Sequence, residues 1–219
     1  MKKLIGRFIA ITLSLMLVLP MLSGCSSKPS PEDAQAYVKA VLDIICLGDY
    51  DHSVKIADIE EGSELALRDQ MVGDALADLG TETGISEEMN ESFKECMLRA
   101  LSTSKYTVGE AVATDDGGYD VTVSIEPLQL YRGFDDFDSI VQERAMQDID
   151  KVSQMSDAEI TDYVAGIMIE MLNANIDDPQ YDPAEEVTVH YGLLDEEQKA
   201  YGCTNAEGQK LGAKLFSLD

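Results

Sequence analysis

Apolar positions along the chain repeat at helical spacing, shift to alternation, return to helical spacing and alternate again. Ser30-Pro31-Glu32-Asp33 predicts a helix start, with serine as N-cap, proline at the first position and acids at the positive end. Val38, Val41, Leu42 and Ile45 then share one face, and Gly48 supplies a stop. Leu65, Val72, Ala75, Leu76 and Leu79 predict a second helix ending at Gly80. A third begins at Ser86 and carries the stripe Met89, Phe93, Cys96, Met97, Ala100 and Leu101. From Tyr106 the period drops to two. Tyr106, Val108 and Val112 alternate with small or polar residues, and Asp115-Asp116-Gly117-Gly118 is turn chemistry. Tyr119, Val121, Val123 and Ile125 alternate with Asp120, Thr122, Ser124 and Glu126, so this hairpin has one buried and one wet face, closed by Pro127.

Residues 138–154 return to helix, with Val141, Ala145, Ile149 and Val152 expected inward. Ser156-Asp157-Ala158-Glu159 is a capping box. It opens a helix striped by Ile160, Tyr163, Val164, Ile167, Met168, Met171 and Leu172. Asp177-Asp178-Pro179 and Asp182-Pro183 break the chain. Val187, Val189, Tyr191 and Leu193 predict a third strand, a fourth falls near 199–203, and Thr204 caps a last helix toward Phe216. Two hairpins joined in one antiparallel sheet of about four strands, packed by several helices, make an α+β domain. Alternating strands of this kind pack a core on one side, so helices are expected to fill the apolar face.

The first 25 residues carry a different pattern. Lys2, Lys3 and Arg7 precede a charge-free run from Phe8 to Leu22, too short and too interrupted by Pro20 for a spanning helix. A basic start, an apolar stretch and a small-residue end predict a secretory signal peptide over 1–24. Leu22-Ser23-Gly24-Cys25 resembles the lipobox of bacterial lipoprotein precursors. That resemblance implies cleavage before Cys25, diacylglycerol on its sulfur, and anchoring at the extracytoplasmic face of the cell membrane, for which two acyl chains suffice. Residues 25–31 then form a lipidated tether, polar and proline-rich, and 32–219 a single extracytoplasmic domain.

Cleavage there removes three of 16 basic residues and no acid, leaving 13 basic against 42 acidic side chains, a net charge of −29. Such a surface repels nucleic acid and is held off anionic lipid, so the membrane is reached through lipid on Cys25. The remaining cysteines, Cys46, Cys96 and Cys203, are odd in number and cannot all pair internally. Cys46 and Cys96 are expected as buried thiols, with a Cys46–Cys96 disulfide as the alternative that export permits.

Ala36-Tyr37-Val38-Lys39 through Asp49-Tyr50-Asp51 resembles the first helix of small NTF2-like or cystatin-like lipoproteins of Gram-positive bacteria. The resemblance implies a helix first, then a curved antiparallel sheet around a pocket, with Tyr119, Val121 and Val123 lining one side where helices leave the face open. No HExxH, P-loop, dinucleotide fingerprint or nucleophile elbow is present. His52 and His190 are expected as surface histidines, His190 on the polar side of its strand. The acidic groups Asp135, Asp136, Asp138 and Asp177, Asp178, Asp182 lack EF-hand spacing and are expected as solvated helix starts and turns. No catalytic, cofactor-binding or metal-binding residue is assigned. The expected function is a binding or interaction module for a protein, a wall component or a small ligand. The alternative is a carboxylate-dependent hydrolase at the cell surface, which needs two acids with separated pKa values across a cleft.

Overall fold

The fold begins with α1 (Pro31–Leu47), whose ends are built as the sequence expects. Ser30 accepts from the Asp33 amide and the Asp33 carboxylate accepts from the Ser30 amide, satisfying two N-terminal donors reciprocally. Gly48 closes the helix at φ 69°, donating to the Asp43 and Ile44 carbonyls. The computed structural model describes residues 29–54, 56, 60, 62–197 and 200–217; the predicted signal peptide, Cys25 and residues 26–28 lie outside them.

α2 (Glu64–Thr83) runs past Gly80, the expected stop. A glycine inside a helix costs about 1 kcal/mol, too little to end one, and the left-handed turn comes at Gly84, φ 74°. Met71, Val72 and Leu76 face the core. Leu65 does not: it is exposed in the first turn, against the end of α1 at Gly48. The side chains of Ala75 and Leu79 lie outside the described residues. α3 (Glu87–Ser102), capped by Ser86, buries Phe93, Cys96, Met97, Ala100 and Leu101 on one stripe.

β1 (Lys105–Ala113) and β2 (Tyr119–Glu126) form the predicted hairpin, followed in the sheet by β3 (Glu185–Asp195) and β4 (Ala200–Cys203) in the order β1-β2-β3-β4, all antiparallel. The fold is therefore α+β, with a four-stranded antiparallel sheet. Val108 opposes Val123 and Ala111 opposes Val121, so Gly109 and Glu110 together oppose Thr122 in a bulge. That extra residue reverses the phase of β1. Val112 turns to the solvent face, 66% exposed, where simple alternation had placed it inward. Tyr119, Val121, Val123, Ile125, Val187, Val189 and Tyr191 form the buried face, against which α1 packs. Helices thus fill it as expected, and Tyr119, Val121 and Val123 are buried beneath them.

Between the hairpins, the helix expected over 138–154 is two. A 3-10 turn (Phe134–Asp136) leads into α4 (Phe137–Gln147), and α5 (Ile149–Val152) follows a break at Asp148. Aspartate is a weak helix-interior residue, and here its carboxylate takes the Tyr163 hydroxyl at 3.1 Å. The break leaves Ile149 exposed while Val141 stays buried. α6 (Asp157–Asp177), opened by the Ser156/Glu159 box, packs on α3 and buries Val164, Ile167, Met168 and Leu172. Its first-turn Ile160 is exposed. Buried Asn175 donates to the Leu130 and Arg132 carbonyls at 2.9 and 3.0 Å, fixing the strand-to-helix crossing. α7 (Asn205–Leu215) returns beside β3, its Glu207 accepting from the His190 amide and its Lys214 pairing with Glu185.

Candidate functional site

The polar face of the sheet follows from the period of two. Register sets Thr107 beside Ser124 and Glu186, Thr122 beside Thr188, and Asp120 beside His190. His190 Nδ1 lies 2.9 Å from Asp120 Oδ1. Its Nε2 lies 3.1 Å from Asp116 Oδ2, on the β1–β2 turn. A neutral imidazole has one N–H, so both contacts are hydrogen bonds only when both ring nitrogens carry protons. The turn is itself fastened by Asp116, whose Oδ1 accepts from Thr114 Oγ1 at 2.5 Å and the Gly118 amide at 3.1 Å. Those donors, the Thr114 hydroxyl first, and the nearby His190 hold the Asp116 carboxyl below its ordinary range.

Two glycines make room for the ring. A Cβ on Gly192 would lie 2.6 Å from His190 Nε2, and one on Gly118 would lie 2.7 Å from both His190 Cε1 and the Tyr191 carbonyl oxygen. The imidazole lies against the sheet as the floor of a groove of about 750 Å³. One side is the turn at 116–118; the other is the end of β3, with Leu193, Leu194 and Glu196, and Tyr201 of β4.

Sequence spacing put His190 on the polar side, where it stands, but gave it no partner; Asp116 and Asp120 supply two. Strand alternation already set Asp120 and His190 outward. Their pairing depended on a register between strands 70 residues apart, which no local pattern carries. Beyond the backbone amide of His190 held by Glu207, its ring nitrogens are both directed at carboxylates. Neither is directed at a hydroxyl or thiol that it could activate.

A second polar cluster lies at the edge strand. Asp43, buried within α1, accepts from the Tyr106 hydroxyl at 2.7 Å and pairs with Lys39 one turn earlier. Burial, then the neighbouring Cys46 and Asp43, push the Tyr106 phenol well above its ordinary value, so it remains a donor. A cleft of about 560 Å³ opens there between α1 and β1, lined also by Lys105, Ser124 and Glu126. Asp43 was missed in the sequence because a polar residue among Val41, Leu42, Ile44 and Ile45 reads as an ordinary outward position.

The remaining candidates are structural. His52 meets the Tyr50 ring at a tilt of 54°, ring centroids 4.7 Å apart, with Nδ1 3.5 Å from Glu64 Oε1. Asp177 pairs with Arg99 at 2.5 Å and Asp178 with Arg132 at 3.2 Å, while Asp182 accepts from Gln129 at 2.5 Å. These acids tie the end of α6 and the crossing segment to their neighbours. Among the described residues no group of three or more His, Cys, Asp or Glu side chains is placed to hold a metal ion. Cys46, Cys96 and Cys203 are free thiols, the first two fully buried, and burial pushes each up to about 12. The Cys46–Cys96 disulfide does not form. No described helix is long and apolar enough to cross a membrane.

No family model matches the chain, and no curated protein matches it. Its fold is shared with the crystal structure of a Bacillus subtilis protein, ycdA, a candidate lipoprotein. The TM-score is 0.56 at 13% identity, over 84% of this chain and 56% of that one. The present chain thus matches little more than half the length of its neighbour.

Proposed function

We propose that the chain is an exported lipoprotein, acylated on Cys25 and held at the extracytoplasmic face of the cell membrane. There it acts as a binding module with no turnover of its own. Its ligand class is a protein, a wall component or a small ligand. Three things support the location: the basic start and apolar run of residues 1–24, the Leu22-Ser23-Gly24-Cys25 sequence, and a fold in common with a candidate lipoprotein. Helix-first order and an antiparallel sheet also support kinship with NTF2-like or cystatin-like lipoproteins. With the inner sheet face filled, binding falls to the outer surface.

One observation carries the choice of binding over hydrolysis. In both clefts a carboxylate is taken up as an acceptor: Asp116 by the Thr114 hydroxyl and the Gly118 amide, and Asp43 by the Tyr106 hydroxyl and Lys39. A carboxylate-dependent hydrolase needs one acid free to donate its proton to substrate beside an ionised partner. Cells fed labelled fatty acid are expected to label the wild-type chain and not Cys25→Ala; equal labelling of both would remove the anchor. Hydrolysis of a wall fragment or peptide by the purified chain, lost when one named acid is replaced, would overturn the binding assignment.

A further inference from the structure

The chain is fastened at one end of the sheet before its first helix begins. Tyr119 opens β2 just after the β1–β2 turn, and its hydroxyl donates to the Pro29 carbonyl at 2.8 Å. The next residue, Ser30, is held by its capping box with Asp33. Cys25 lies only four residues before Pro29. Four residues reach no more than about 14 Å, even fully extended. Lipid on Cys25 therefore keeps this end of the sheet, where the antiparallel order places both hairpin turns, close to the bilayer. α1 runs the other way: Gln35 donates to the Val108 carbonyl, and Asp43 takes the Tyr106 hydroxyl farther from the turn. Leu47, its last residue, lies about 24 Å from Pro31.

The same end carries apolar surface beyond the core. Register pairs Tyr119 with Tyr191, and pairs Leu193 with Tyr201 two residues farther along, about 7 Å away. The Tyr191 and Tyr201 rings stack with centroids 6.3 Å apart, so Leu193 and Tyr201 stand on the face of Tyr191. Tyr119 and Tyr191 are buried, whereas Leu193 is 46% exposed and Tyr201 half-buried. Leu194, the residue that the β3 bulge adds, is 44% exposed next to them. The row that starts at the Pro29 attachment thus ends in side chains that the core does not cover. Leucine and tyrosine suit the boundary between headgroups and acyl chains, tyrosine because its apolar ring ends in a hydroxyl that stays wet. Acids flank the patch, with Asp115 and Asp116 in one turn and Glu196 and Glu197 in the other, all exposed. They repel anionic headgroups, so the surface that fits is zwitterionic lipid.

We propose that Leu193, Leu194 and Tyr201 form a membrane contact, by which the domain rests on zwitterionic lipid with the turn end of its sheet. The proposal rests on the acylation of Cys25 put forward above and adds to it the face turned toward the bilayer. Three side chains make a weak contact, but the short tether makes it intramolecular, and a high effective concentration compensates for the small area. The cleft between α1 and β1, lined by Asp43, Tyr106 and Leu47, is then turned away from the lipid and open to other occupants.

The test exploits a sequence without tryptophan, in which a single introduced one reports its own surroundings. The acylated chain is placed in nanodiscs of phosphatidylcholine, with or without bromine on the upper acyl carbons as a short-range quencher. Leu193→Trp is compared with Leu47→Trp, an equally exposed leucine at the far end of α1. Quenching of Leu193→Trp is expected to be at least threefold that of Leu47→Trp. Tyr201→Trp should also be quenched, and adding Leu193→Ser/Leu194→Ser should cut that quenching at least twofold. Replacing half of the lipid with phosphatidylglycerol should lower the quenching of Leu193→Trp; a rise would overturn the choice of zwitterionic lipid. Equal quenching at Leu193→Trp and Leu47→Trp in an acylated chain would overturn the contact and leave the anchor standing. Quenching of Tyr201→Trp that the serine pair does not change would overturn it too. A blue shift of Leu193→Trp emission that grows with concentration in the lipid-free Cys25→Ala chain would give the patch to a second copy instead. A chain that mass spectrometry finds without acyl groups would remove the anchor and the contact together.

Discussion

At the scale of single residues, the contact between His190 and its two glycines is the most exacting feature of the sheet's outer face. The ring cannot simply swing away from a new methyl group, because Asp116 and Asp120 hold both its nitrogens. Gly192→Ala is therefore expected to cost about 1–3 kcal/mol, as overpacking does. The clash is only with the imidazole, 2.6 Å from the new Cβ. Removing the ring as well, in Gly192→Ala/His190→Ala, should relieve most of it. Gly118→Ala differs, because its Cβ also meets the Tyr191 carbonyl at 2.7 Å. That backbone atom remains when the histidine is gone, so His190→Ala should rescue Gly118→Ala far less. Urea midpoints for wild type, the three single variants Gly192→Ala, Gly118→Ala and His190→Ala, and the two double variants form two double-mutant cycles. Equal rescue at both glycines would mean that the Tyr191 carbonyl is free to move and the ring is the sole obstacle.

At the scale of elements, stability is concentrated where the stripes are continuous. Phe93 on α3 and Met168 on α6 are both almost wholly buried, and those two helices pack on each other. Phe93→Ala should cost about 3–5 kcal/mol and Met168→Ala about 2–5. Ile149→Ala should stay within about 0.5 kcal/mol, since that isoleucine is exposed. Denaturant midpoints that rank the three otherwise would mean that the faces are assigned wrongly. The same elements mark how far the sequence could be read. Capping boxes at Ser30 and Ser156, the stop at Gly48 and the alternation of β2 depend on neighbours within a turn or a strand, and each stands as expected. Two misplaced side chains lie where a local pattern is interrupted by one residue, Val112 after the Gly109–Glu110 bulge and Ile149 after Asp148, and three more, Leu65, Ile160 and Leu193, lie at element ends that outrun the core. An inserted residue in a strand reverses every later side chain, and no composition signal announces it. The candidate site was less legible still. Asp116, Asp120, Gly118 and Gly192 acquire meaning only once β2 and β3 are in register.

At the scale of the whole molecule, two electrostatic effects of opposite sign compete, and salt separates them. Opposite charges are paired across the surface: Arg99 with Asp177, Arg132 with Asp178, Arg144 with Glu170 and Lys214 with Glu185. All are partly exposed, and pairs of that kind contribute about 0–1 kcal/mol each. Against them stands the mutual repulsion of 42 acids that only 16 basic residues can offset, three of the latter in the first seven positions. Repulsion acts over longer distances than pairing and grows when the chain is compact. The Debye length shortens from about 30 Å at 0.01 M salt to about 8 Å at 0.15 M, which screens distant like charges more completely than contacts of 3 Å. Added sodium chloride should therefore stabilise the fold. The urea midpoint is expected to rise between 10 and 300 mM salt, urea being used because guanidinium is itself a salt. The rise should be smaller in Glu143→Gln/Asp150→Asn, which neutralises two exposed acids, one on α4 and one on α5, because less repulsion remains to be screened. A midpoint that falls with salt would mean that the ion pairs outweigh the excess charge. The acidic surface would then be a stabilising network, and its excess of carboxylates could not be taken as a cost that the fold bears.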